Sequence, residues 1–163
     1  NILRQAGLPE NLQYMEPQLR EWEKDGCVIE EPWGFDRDWK VTDWKTAWLR
    51  MKLDVFVPSK GVVVDYKTGK KLGNEVKHAR QGQLYAIGAM IRQPELKSVT
   101  VVFEYLDHQS KASRVWRPAQ LEMAKDLFNK KVALIEADKE FRANPTKWGC
   151  KFCGLDCEAR FEE

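Results

Sequence analysis

No apolar run in this chain approaches the roughly 20 residues that span a bilayer. The longest dense stretch, Val62-Val63-Val64, is strand-sized. A membrane partner is therefore not expected. The N-terminus lacks a basic start followed by an apolar core, so no secretory leader is expected. The chain opens on Asn1 rather than Met, as a fragment or processed product would. Internal repeats and low-complexity segments are absent. Cysteine is scarce: there are four, and three are packed as Cys150-x-x-Cys153-x-x-x-Cys157. Such clustering is unlike the framework of a disulfide-stapled mini-protein. It points to a reducing, cytoplasmic compartment and a metal site.

What is present suits one globular domain. The 163 residues are 43% hydrophobic and 32% charged, which argues against general disorder. The net charge of +2 is unevenly spread. Residues 1–43 hold ten acidic and five basic side chains, so the remainder carries a net +7. A polyanion should meet the second part of the chain.

Apolar spacing predicts a helix over residues 9–25, ended by Gly26, and a short strand at Cys27–Glu30. Residues 31–45 mix Pro, Gly, Asp and Trp and read as an irregular, aromatic-rich loop. Alternation predicts one strand over residues 47–57, a turn at Pro58–Gly61 and a central strand over residues 61–67. A helix follows from an Asn74 cap to about Arg92, then a hairpin of strands at 99–107 and 111–117. The last long helix covers residues 118–141, with Leu121, Leu127, Phe128, Val132, Leu134 and Ile135 on its apolar side. This order describes an α/β domain.

The sharpest feature is Asp54 on one strand and Asp65-Tyr66-Lys67 on the next. A hairpin centred near Ser59-Lys60 sets Asp54 nearly opposite Asp65. Strand alternation puts Asp65 and Lys67 on one face. Two carboxylates suit a hard divalent cation such as Mg²⁺, and a lysine can orient a water or stabilise charge on a phosphate. Without a metal, Asp65 and Lys67 read as an ordinary ion pair. On the next helix Gln81 and Tyr85 share a face, with His78 close to the same line. Lys67, Lys70, Lys71, Lys77 and Arg80 fall close together, opposed only by Glu75, which suits phosphate contacts. Trp33, Phe35, Trp39 and Trp44 interleave with Arg37 and Lys40, as a stacking platform or as core packing under a loop. Nothing resembles a base-specific reader, so sequence-independent binding to DNA is expected. Thiolates at the tail spacing suit Zn²⁺ or an iron–sulfur cluster.

Together Lys52-Leu53-Asp54-Val55, Val62-Val63-Val64-Asp65-Tyr66-Lys67-Thr68-Gly69 and Gln81-Gly82-Gln83-Leu84-Tyr85-Ala86 resemble the PD-(D/E)XK nuclease superfamily in its RecB-like branch. That branch includes phage and bacterial exonucleases and CRISPR-adaptation nucleases. The resemblance covers about residues 28–157. It implies a restriction-endonuclease-like core, a central mixed sheet flanked by helices. The nuclease domain would occupy residues 1–145 and a cysteine-rich metal-binding tail residues 146–163. By this resemblance Asp54, Asp65 and the Tyr66 carbonyl would bind Mg²⁺ or Mn²⁺, and Lys67 would be catalytic. Gln81 and Tyr85 would position DNA or support the site. Lys70, Lys71, Lys77 and Arg80 are the DNA-binding candidates. The branch places a metal-binding His or Glu on an upstream helix; no histidine precedes Cys27 here, and Glu16 and Glu21 lie on the helix that does. The tail would hold a 4Fe–4S cluster through Cys150, Cys153, Cys157 and an upstream cysteine, for which Cys27 is the candidate. The expected activity is exonucleolytic hydrolysis of DNA in recombination, repair or phage replication, with a helicase or recombination protein as partner. The alternative is a non-catalytic nucleic-acid-binding module carrying a cysteine-bound metal.

Overall fold

A computed structural model describes residues 8–68, 74–140 and 142–159. The chain divides into two compact units, Asn1–Asp126 and Leu127–Glu163.

The first unit opens with a 3₁₀ turn, Glu10–Met15, that leads into helix α1, Glu16–Lys24. Pro17 falls in the first turn of α1, where its missing N–H costs nothing. Five strands then build the main sheet. They are β1 (Val28–Ile29), β5 (Val55–Val57), β6 (Val62–Lys67), β7 (Val99–Tyr105) and β8 (Ser110–Trp116), in the order β1-β5-β6-β7-β8. Only the β6–β7 pair is parallel, and helix α2, Glu75–Arg92, lies between those strands in the chain. The sheet is therefore mixed and flanked by helices, as expected of a restriction-endonuclease-like fold.

Each face of β6 meets a different helix. Val64 packs with Val55, Val57 and Trp22 of α1. Val63 and Asp65 point the other way, as do their β7 partners Val101 and Phe103, which lie against Gly82 of α2. Both faces are covered, which is why β6 reads as a nearly continuous apolar run.

Residues 31–45 are not an irregular loop. They contain β2 (Pro32–Phe35) and β3 (Val41–Thr42), which join β4 (Leu49–Lys52) in a second sheet of order β3-β2-β4. Pro32 and Gly34 mask the strand in the sequence, yet Trp33 and Phe35 are completely buried. The Trp33 indole N–H donates to Glu31 at 2.6 Å. The expected single strand over residues 47–57 is two strands in two sheets, with Leu53–Asp54 as the joint.

Helix α3, Pro118–Ala137, buries Leu121 and Ala124. Its residues Leu127, Leu134 and Ile135, expected to face inward, are exposed. The second unit also holds a short helix α4, Lys147–Phe152, capped by Thr146 Oγ1, which accepts the Gly149 N–H at 3.0 Å. No described helix is long and apolar enough to cross a membrane.

Helix α2 lies close against the second sheet as well. A Cβ on Gly88 would fall 2.9 Å from Met51 Sδ and 3.1 Å from the Trp33 ring. Gly88→Ala should therefore lower stability by about 1–3 kcal/mol through overpacking, despite alanine's better helix propensity. Urea unfolding measures this, and a more stable variant would contradict the close approach.

Candidate active site

Strand β5 begins only at Val55, paired with Val64, so the next backbone groups of β6 face an open edge. The Asp54 carboxylate fills it: Oδ2 accepts the Tyr66 N–H at 2.7 Å. The Asp54 carbonyl accepts the Glu30 N–H at 3.1 Å. Asp54 is thus fixed at both ends where the two sheets join. By register it lies beside Asp65, as the hairpin spacing predicts.

Asp65 is only 4% exposed. Its Oδ2 lies 2.5 Å from Lys67 Nζ. The contact is an ion pair, and Oδ2 has no hydrogen-bond partner besides. Oδ1 accepts the Tyr85 hydroxyl at 3.0 Å. Lys67 Nζ also donates to Gln81 Oε1 at 2.9 Å, and Gln81 Nε2 donates to the Tyr85 oxygen at 2.6 Å. The four side chains close a ring of polar contacts. Gln81 and Tyr85, one turn apart on α2, reach Asp65 and Lys67, two apart on β6.

Burial pushes the Asp54 carboxyl above its usual range, and the Asp65 charge adds to the effect; the Tyr66 N–H and Lys67 oppose it. The two carboxylates are therefore close enough to repel. Tyr85 is raised strongly by burial and then by Asp65, so it stays a phenol and a donor. Lys67 Nζ stands 5.6 Å from the Phe103 ring centre. His78 lies outside the ring. It stacks on Phe103 and its Nδ1 is 2.8 Å from the Tyr105 hydroxyl.

Lys77 and Arg80 are exposed on α2 near Gln81. Lys70 and Lys71 lie outside the described residues. The Tyr66 side chain faces away from the ring, toward the Trp22 cluster. Glu16 and Glu21 belong to α1, which covers that same far face; they pair with Arg20 and Lys60. Cys27 packs at the edge of the Trp22 cluster, where burial and then Glu23 push its thiol up. Cys150 is half-buried, and Cys153 and Cys157 are exposed. Among the described residues no three His, Cys, Asp or Glu side chains gather to hold a metal ion. One feature escaped the sequence reading: Glu104, buried beside Tyr66 on the far face, with Oε2 unpartnered. Its only signal is an acidic residue in phase with Thr100 and Val102 on an apolar strand.

A model of the PD-(D/E)XK nuclease superfamily matches residues 11–157. The chain belongs to that superfamily. No curated protein matches it. Among solved structures, that of SSO0001 is similar at 16% identity and a TM-score of 0.46, covering 93% of this chain and 70% of that one.

Two outcomes follow from this electrostatic arrangement. Lys67→Met should cost about 3 kcal/mol, because it leaves the Asp65 charge buried without its cation. Asp65→Asn in the same chain should restore much of that loss; a double-mutant cycle by urea unfolding checks the coupling. Asp54→Asn keeps the acceptor for the Tyr66 N–H and removes the repelling charge. A raised native pKa means the folded state holds its proton more tightly than the unfolded chain. That contribution to stability is lost as pH rises through the native pKa. In metal-free buffer at neutral pH, Asp54→Asn should therefore melt above the wild type, with the gap closing as pH falls. A lower melting temperature for Asp54→Asn would contradict the repulsion.

Proposed function

We propose that the chain is a metal-dependent deoxyribonuclease of the RecB-like branch, acting as an exonuclease in DNA recombination, repair or phage replication. One observation carries the reading: a part-buried Asp65–Lys67–Gln81–Tyr85 ring beside a second carboxylate, Asp54. An ordinary surface ion pair needs no such shell.

The donor set fits a hard divalent cation. Asp65 Oδ2 is buried and accepts no hydrogen bond, and Asp54 offers a second carboxylate on the neighbouring chain segment. Asp54, Asp65 and the Tyr66 carbonyl would hold Mg²⁺ or Mn²⁺, which when bound polarises the phosphate and activates water. The chain's own residues do the rest. Lys67 Nζ, steered by Gln81, can turn from Asp65 toward the charge that develops on a scissile phosphate. Tyr85, held protonated, keeps Asp65 oriented throughout. Lys77 and Arg80 contribute sequence-independent phosphate contacts, together with Lys70 and Lys71. A helicase or recombination partner and a cytoplasmic setting belong to the same proposal. So does a 4Fe–4S or zinc clamp through the tail cysteines and Cys27.

The absence of a third ligand among the described residues favours one competitor, a module that binds nucleic acid without cutting it. Labelled single- and double-stranded DNA incubated with Mg²⁺, Mn²⁺ or EDTA separates the two. The wild type should cleave with metal and not with EDTA. Asp65→Asn and Lys67→Ala should each lose about 10²–10³-fold or more in rate. Binding without metal-dependent cleavage would decide for the module, and full activity in Asp65→Asn would remove this ring from the chemistry.

A further inference from the structure

The second sheet carries features that the ring does not use. Two turns at its edge each hold a cation against an aromatic ring. In the turn after β2, Asp36 Oδ1 accepts the N–H groups of Asp38 and Lys40 at 2.9 and 2.8 Å. Trp39, buried with φ +61°, packs edge-on against Trp48 at 5.7 Å. Arg37 Cζ lies 5.8 Å from the Trp48 ring centre. In the turn after β3, Asp43 Oδ1 accepts the Lys45 N–H at 2.8 Å. Arg50 Nη2 donates to the Lys45 carbonyl at 2.8 Å, which fixes its guanidinium 5.5 Å from the Trp44 ring centre. Gly34 permits this closure: a Cβ there would lie 2.8 Å from the Thr42 oxygen and 2.9 Å from Ala47.

Both pairs are therefore set before any ligand arrives. Both fall within residues 37–50, on one small sheet. Trp44 keeps 37% of its surface exposed, and Arg50 is exposed. Residues 36–50 hold Arg37, Lys40, Lys45 and Arg50 against Asp36, Asp38 and Asp43, a net of +1. Glu30 is paired with Lys52 at 2.8 Å.

A flat aromatic face beside a fixed guanidinium suits an unpaired base and its phosphate, and the fit does not depend on which base it is. Arg50 also stands four residues before Asp54, about 13 Å of extended chain. One short run of a bound strand can reach both. Building on the nuclease reading above, we propose that the second sheet is a docking platform for single-stranded DNA. Bases stack on Trp44 and Trp48, phosphates meet Arg37 and Arg50, and the strand continues toward Asp54 and Asp65.

The test uses the whole chain in EDTA, so that no cleavage intervenes. Fluorescence anisotropy follows a labelled oligothymidylate and a duplex of equal length. The wild type should prefer the single strand, and oligothymidylate should quench its tryptophan emission. Trp44→Ala and Arg50→Gln, both at exposed positions, should each weaken single-strand binding by about tenfold. Trp44→Phe should recover most of it. Wild-type affinity in both variants overturns the platform. So does a preference for duplex, or Arg50-dependent binding of an acidic peptide in place of oligothymidylate. The nuclease reading fails separately, if single-strand binding depends on Trp44 but no metal supports cleavage.

Discussion

Asp65 sits 4% exposed on a strand covered from both sides, and a charge there costs several kcal/mol unless it is paired. That cost sets what the surrounding elements must do. Lys67 has to share the Asp65 face, which fixes the phase of β6. Helix α2 has to come close enough for Tyr85 to donate to the carboxylate, and Gln81 has to bridge back to Lys67. The approach of α2 rests on small or absent side chains, with Gly82 against Phe103 and Gly88 against Trp33 and Met51. A core built only for stability would place a valine at position 65. Keeping the charge there comes at the expense of stability.

Helix α1 supports the same strand from behind. Trp22 packs on Val55, Val57 and Val64, whose side chains alternate with those of Asp54 and Asp65. One face of the sheet is therefore given to packing and the other to polar chemistry. This division explains where Glu16 and Glu21 go. They ride on the packing helix and pair with Arg20 and Lys60, so neither is directed to the face of Asp65. It also isolates Tyr66: its N–H serves Asp54 while its ring stays among apolar neighbours, beside the buried Glu104.

Much of this was legible in the sequence because the signals are periodic. The near-opposition of Asp54 and Asp65 follows from the turn at Pro58–Gly61, and the shared face of Gln81 and Tyr85 from helical spacing. The second sheet was not legible. Pro32 and Gly34 carry low strand propensity, yet Trp33 and Phe35 bury completely, and burial outweighs propensity. The break between β4 and β5 was hidden for another reason. Alternation runs unbroken from Leu49 to Val55, and period-2 patterning does not record a change of sheet. The long C-terminal helix shows the converse limit. Its apolar spacing predicts an inward face, but Leu121 and Ala124 are buried, Phe128 and Val132 are half-buried, and Leu127, Leu134 and Ile135 stay exposed.

The unseen break is what ties the two sheets into one device. In β4, Met51 is buried against Trp33 while Arg50 and Lys52 point to solvent. A slip of one residue would bury Arg50 and expose Met51, so the core specifies this register strongly. The same register delivers Asp54 to the end of β5, where the Tyr66 N–H waits at an open edge. The burial of Met51 thus fixes, through a few residues of backbone, both the outward guanidinium of Arg50 and the position of Asp54. A strand lying along β4 would be aligned with the carboxylates by the strand's own pairing rather than by a loop, which is how a scaffold holds a long substrate in step with a small site.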